Sequence, residues 1–192
     1  GKTTTTSLIY HIMEKAGYDV GLAGNIGHSL ALQVAETPHA WYVIELSSFQ
    51  LDNMYDFHAD IAVLLNITPD HLDRYEFKFE NYADAKMRIT QNQVKADAFI
   101  YWNDDPVIQH ELTKTAMGAT LYPFGLEKSD ALKGYIADGE YVLTAPTRLE
   151  MKQEESTQLA VVDDQVNTSL METFREDYDA LNDNPSDYVR DL

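Results

Sequence analysis

Short, nearly continuous apolar runs alternate along this chain with longer stretches in which apolar residues recur every three or four positions. The runs "YVIEL" (42–46), "DIAVLLNI" (60–67), "DAFIYW" (97–102) and "ATLYPF" (119–124) predict strands, and "DVGLAG" (19–24) predicts a weaker fifth. Strands that are apolar on both faces belong in the middle of a covered sheet. The helical spacing of Leu8, Ile9, Ile12, Met13 and Ala16 predicts a helix through the first segment, ending at Gly17, a natural C′ residue. Helices are also predicted over "NYADAKMRITQNQ" (81–93) and "DPVIQHELTKTA" (105–116). Strand and helix in alternation imply βαβ units, hence an α/β fold with a mostly parallel sheet flanked by helices. In "GYIADGEYVLTA" (134–145) an Asp-Gly pair separates two β-like runs, which predicts a small hairpin.

The pattern changes near the end. From Val161 onward the chain carries many carboxylates, two arginines and no lysine, with Leu170, Phe174, Tyr178 and Leu181 on one helical stripe. The expected organisation is an α/β domain over 1–150 and an acidic, helical tail over 151–192.

Composition narrows the function classes. With no cysteine there is no disulfide, thiolate metal site or cysteine nucleophile. A formal charge of −18 would repel nucleic-acid phosphates, so no nucleic-acid partner is expected. No apolar run approaches the roughly 20 residues of a membrane span, and no secretory leader is expected. The expectation is a cytoplasmic protein with no membrane association.

Candidate chemistry begins at the first residue. Gly1-Lys2-Thr3, opening a helix, matches the second half of the phosphate-binding pattern G-x-x-x-x-G-K-[ST]. Backbone N–H groups at such a helix start face phosphates, a lysine reaches the β- and γ-phosphates, and a Thr hydroxyl can ligate Mg²⁺. Gly1, Lys2, Thr3 and Thr4 are therefore the nucleotide-contact candidates; a plain threonine-rich helix start is the alternative. In open α/β sheets ligands bind beyond the carboxyl ends of the strands. There lie "AGNIG", Glu45 in "VIELSS", "NITPDHLDRY" and "NDD". A carboxylate such as Glu45, closing a Val-Ile strand beside a phosphate loop, typically holds Mg²⁺. His71, flanked by Asp70, Asp73 and Arg74, suits a metal ligand and equally a capping residue. Lys86 by itself reads as a surface lysine.

Taken in order, "GKTTTT", "GNIG", "VIELSSFQL", "NITPDHLDRY" and "YADAKMRI" make the chain resemble the Mur ligases, over Gly1 to about residue 150. The "ELSSFQL" block favours the branch that adds D-glutamate. The resemblance implies the central ATP-binding domain of a three-domain enzyme, so that the chain is expected to be a fragment beginning inside its phosphate loop. It implies ATP-dependent activation of the carboxylate of UDP-N-acetylmuramoyl-L-alanine as an acyl phosphate, then attack by the amine of D-glutamate, in a monomer of the cytoplasm serving peptidoglycan synthesis.

Residue by residue, the resemblance implies that Lys2 and Thr3 hold phosphates and one Mg²⁺, with Glu45 a ligand of that metal. His71 would ligate a second Mg²⁺, and Lys86 would act there as a carbamate, its amine pKa lowered by partial burial or by neighbouring cations such as Arg88 or Mg²⁺. Asn25 would lie near the transferring phosphate and the acceptor carboxylate. After Glu150 the chain departs from the family: no Gly-His-Asn segment follows, and no adenine contact is assigned. The fragment alone is expected to lack turnover. The competing readings are a non-catalytic nucleotide-binding remnant and a generic P-loop ATPase; the latter leaves "ELSSFQL" and "YADAKMRI" unexplained.

Overall fold

The computed structural model describes residues 1–114 and 116–144. The predicted acidic tail lies outside the described residues. Along the chain run α1 (Lys2–Lys15), β1 (Val20–Gly24), α2 (Leu30–Glu36), β2 (Trp41–Glu45), α3 (Ser48–Leu51) and β3 (Ile61–Leu64). A 3₁₀ turn (Leu72–Tyr75) precedes α4 (Phe79–Met87), and a second (Arg88–Thr90) follows it. Then come β4 (Ala98–Trp102), α5 (Pro106–Lys114), β5 (Thr120–Phe124), β6 (Gly134–Ala137) and β7 (Glu140–Leu143).

All five predicted strands form, and every pairing among β1 to β6 is parallel. The hydrogen-bonded ladders fall into two sheets, β1-β2 and β3-β4-β5-β6-β7. The hairpin closes the second sheet: β6 and β7 pair antiparallel, and Asp138 and Gly139 both adopt positive φ, as a tight primed turn requires.

α1 ends where glycine permits it to. Gly17 takes φ +84 and donates to the Glu14 carbonyl, while the Tyr18 N–H reaches the Met13 carbonyl; together these form a Schellman cap. The threonines that suit a helix poorly are accommodated locally. The Thr6 hydroxyl donates to the Lys2 carbonyl at 2.9 Å and that of Thr5 to Gly1 at 3.3 Å. Packing of α1 on β1 and β2 is partial, for Leu8, Ile9 and Met13 are half-buried and Ile12 is exposed.

The predicted helix over 81–93 is shorter than its pattern. Regular structure starts at Phe79, tightens to 3₁₀ at Arg88 and stops before Asn92, which sits at positive φ. Two short helices were not foreseen. α2 inverts the usual pattern: Gln33 is buried, donating to the Leu22 and His28 carbonyls, while Leu32 and Val34 face outward. α3 opens with a capping box, in which Ser47 Oγ accepts from the Gln50 N–H and Gln50 Oε1 accepts from the Ser47 N–H. Its S-x-x-Q signature is legible in "ELSSFQL".

The core lies between β3, β4, α4 and α5. It contains Ala62, Leu64, Ile67, Tyr82, Ala85, Phe99 and Ile108, the last two being its largest fully enclosed side chains. Burying a side chain of that size stabilises by about 1.5–3 kcal/mol. This core anchors α4, the helix that carries Lys86.

Candidate functional site

The ends of β1 and β2 are held together at one point. Gly24 has φ +102, and a Cβ there would intrude on the Glu45 carbonyl oxygen. Glycine thus lets the chain turn directly over the end of β2, which carries Asn25 onto Glu45. The Asn25 N–H donates to the Glu45 carbonyl at 2.8 Å, and its Nδ2 donates to Glu45 Oε1 at 3.3 Å.

Glu45 is 3 % exposed, and its other oxygen, Oε2, has no hydrogen-bond partner among the described residues. A buried carboxylate with a bare oxygen is costly, and a cation is the usual remedy. The residues present therefore fit a hard metal ion at this position. Among the described residues no cluster of three or more His, Asp or Glu side chains is pre-assembled. A single buried carboxylate is compatible with Mg²⁺, which is usually bound by one or two carboxylates together with waters and substrate phosphates.

α1 packs on these strands. Gly1 provides no side-chain cap, and Gly1, Lys2, Thr3 and Thr4 are exposed. The first N–H groups of the helix, aligned with its dipole, can receive an anion. Lys86 enters from α4 with its Nζ 5.0 Å from the centroid of the Tyr82 ring. Burial holds its ammonium below the ordinary lysine range and nearby Lys2 adds to the effect, while Asp70 and Asp105 oppose it. The neighbouring cation is thus Lys2 and not Arg88. Arg88 turns away, donating from Nε to the Leu51 carbonyl at 2.9 Å and lying over Tyr55.

His71 occupies the left-handed region at φ 49, a conformation that costs a non-glycine residue of order 1 kcal/mol. Its N–H donates to Asp70 Oδ1 at 2.9 Å, and its Nε2 lies 3.4 Å from Asp70 Oδ2. The ring meets the edge of Phe49, at 5.2 Å between centroids. Phe49 also carries the Arg74 guanidinium over its face at 4.3 Å and stacks on Tyr75. One aromatic side chain of α3, four residues after Glu45, therefore couples the end of β2 to the His71 loop.

Of the predicted residues, Asn25 and Glu45 touch, and Lys2 and Lys86 share one electrostatic neighbourhood. His71 packs on Phe49 of α3 and pairs with Asp70, whose charge acts on Lys86. Phe49 and Asp105 were not foreseen as site residues. For Asp105 the available signal was the "NDD" at a strand end followed by proline, a helix-start pattern. Among the described residues no helix is long and apolar enough to cross a membrane.

Comparison with known proteins shows the family and the fold. The family model for the Mur ligase middle domain matches residues 1–172. The chain is 64% identical over 155 residues to UDP-N-acetylmuramoylalanine–D-glutamate ligase of Bacteroides fragilis, covering 81% of this chain and 35% of that protein. It is 47% identical over 174 residues to the enzyme of the same name from Cytophaga hutchinsonii, covering 91% of this chain and 35% of the relative. The chain thus spans about a third of the length of these relatives. Among solved structures it resembles the MurF ligase of Thermotoga maritima in complex with ADP, with a TM-score of 0.53, 23% identity and coverage of 74% and 35%. That likeness concerns the fold.

Proposed function

Because this chain belongs to the Mur ligase family, through its middle domain, we propose that it is the ATP-handling part of the ligase that joins D-glutamate to UDP-N-acetylmuramoyl-L-alanine. The observation that carries this reading is Glu45. It is a buried carboxylate at the carboxyl edge of β2, with one oxygen bound by Asn25 and the other without a partner among the described residues. A structural acid at a strand end would be satisfied on both oxygens or exposed.

In this reading Lys2, the Thr3 and Thr4 hydroxyls and the first N–H groups of α1, from Gly1 onward, cradle the nucleotide phosphates. Glu45 and Thr3 would hold one Mg²⁺, and His71 with Lys86 a second. Bound there, the cations neutralise phosphate charge and so ease transfer to the substrate carboxylate. Asn25 orients Glu45 and stands where the transferring phosphate and the carboxylate meet. Lys86 serves as a carbamate. Its half-buried amine, with a lowered pKa, is closer to the neutral form that reacts with CO₂. Carbamylation replaces a cation that would repel Mg²⁺ with an anionic oxygen donor. The acyl phosphate formed by this step would then be attacked by the amine of D-glutamate, releasing phosphate as the amide forms.

We propose further that the enzyme works as a monomer in the cytoplasm, and that the present chain alone does not turn over, since much of the rate in such reactions comes from holding both substrates. The test is formation of ADP and the D-glutamyl amide by the full-length protein. ADP release that needs neither the nucleotide-sugar nor D-glutamate would point instead to a simple ATPase.

A further inference from the structure

Two aspartates follow β4, and they do different things. Asp104 is held by Trp102 and Leu126 at the surface. Asp105 is 5 % exposed and spends its carboxylate on two separate pieces of chain. Its Oδ1 accepts from the Val107 and Ile108 N–H groups at 2.8 and 3.0 Å, which caps α5 behind Pro106. Its Oδ2 accepts from the Ile67 N–H at 2.9 Å, across 38 residues of sequence. Ile67 belongs to the loop that leaves β3 and ends at His71.

We infer that Asp105 is a positioning residue for the metal site: it pins the loop at Ile67 and thereby sets where Asp70 and His71 stand. The linkage is short and stiff. Ile67 is itself buried in the core, so the pin is fixed at both ends. Thr68 precedes a proline and is confined to extended conformations, and Pro69 has its φ locked. The Asp70 carboxylate then holds the His71 N–H, with His71 in its left-handed conformation. With little rotational freedom between Ile67 and His71, a displacement of the pin reaches the imidazole instead of being absorbed. Helix capping alone needs only one oxygen; the second bond has no role in α5.

This inference rests on the metal-site reading above, and two variants of the full-length protein separate it from simple stability. Asp105→Asn keeps the shape and can cap α5 with its oxygen, but then turns an NH₂ group toward the Ile67 N–H, donor against donor. Asp105→Ser keeps an N-cap oxygen but is too short to reach Ile67. Mn²⁺ is the probe, its binding followed by electron paramagnetic resonance in the presence of ADP. Both variants should bind Mn²⁺ about 10- to 100-fold more weakly, the usual consequence of losing a partner that orients a metal ligand. The Ile67 amide should exchange its hydrogen faster, while exchange at Phe99 in β4 stays slow. Mn²⁺ affinities within about twofold of the parent in both variants overturn the inference alone. So does a loss confined to a variant whose Phe99 protection collapses with it. A parent protein that takes up no Mn²⁺ overturns the metal reading and this inference with it.

Discussion

Asn25 and Glu45 meet through both backbone and side chain: the Asn25 N–H bonds the Glu45 carbonyl at 2.8 Å, and Asn25 Nδ2 bonds Glu45 Oε1 at 3.3 Å. The second carboxylate oxygen is buried and has no hydrogen-bond partner among the described residues. One oxygen fixes the orientation of the carboxylate and the other remains available to a cation, a division of labour suited to a metal ligand with a supporting partner.

Replacing Glu45 by Gln removes the charge and keeps the shape. In the full-length protein, turnover should fall by about 10²-fold or more, as expected when metal stabilisation worth several kcal/mol is lost. The unfolding midpoint without Mg²⁺ should not drop, because an uncompensated buried charge disappears with the substitution. Near-parental turnover at ordinary Mg²⁺ would remove Glu45 from the site.

Gly24→Ala should be destructive at a position with no side chain. Positive φ and the intrusion on the Glu45 carbonyl act together, and a loss of at least about 2 kcal/mol in denaturant unfolding is expected. Gly139→Ala, which also has positive φ but open space around it, should cost less. Equal losses would show that backbone strain alone accounts for the effect at Gly24.

Phe49→Ala should loosen the His71 loop. It removes the ring that touches His71, Arg74 and Tyr75, and for a partly buried ring a cost of about 2 kcal/mol is expected. The added sign is weaker apparent Mg²⁺ affinity in turnover, read as a higher Mg²⁺ concentration at half-maximal rate. Phe49→Leu should recover stability better than it recovers that midpoint.

Lys86 makes a pH prediction. Its pKa is lowered in the folded state, first by burial and then by Lys2, so over the range just below the ordinary lysine value the unfolded chain binds more protons and stability rises with pH. The penalty of the charged amine is fully present below the lowered pKa and disappears as pH rises to the ordinary value, about 10.4. In CO₂-free buffer, Lys86→Met should be more stable than the parent at neutral pH, and the gap should narrow toward pH 10. With bicarbonate, the full-length Lys86→Arg variant should stay inactive, since guanidinium remains cationic. Lys86→Ala should recover part of its activity with added short carboxylates. A fully active Lys86→Arg would end the carbamate assignment.

Periodicity and turn chemistry are local, and what depends on them was legible in the sequence. The five parallel strands, the Gly17 stop of α1 and the Asp138-Gly139 hairpin each follow from residues within a few positions of one another. The candidates Lys2, Glu45 and His71 were legible too, because an α/β sheet delivers its strand ends to one edge and ordinary polar residues there invite a chemical role. Other features depended on distant partners. α2 could not be read because its buried residue is Gln33, made tolerable by the Leu22 and His28 carbonyls. Lys86 reads as a surface lysine until burial and Lys2 are brought to it from other elements. Asp105 looks like a helix cap until Ile67 arrives from 38 residues away. The bare oxygen of Glu45 appears only when the chain turns at Gly24 and sets Asn25 against the other. Burial and hydrogen-bond satisfaction are properties of what surrounds a group, so only the tertiary structure could decide which of these polar groups are held in place and which has no partner among the described residues.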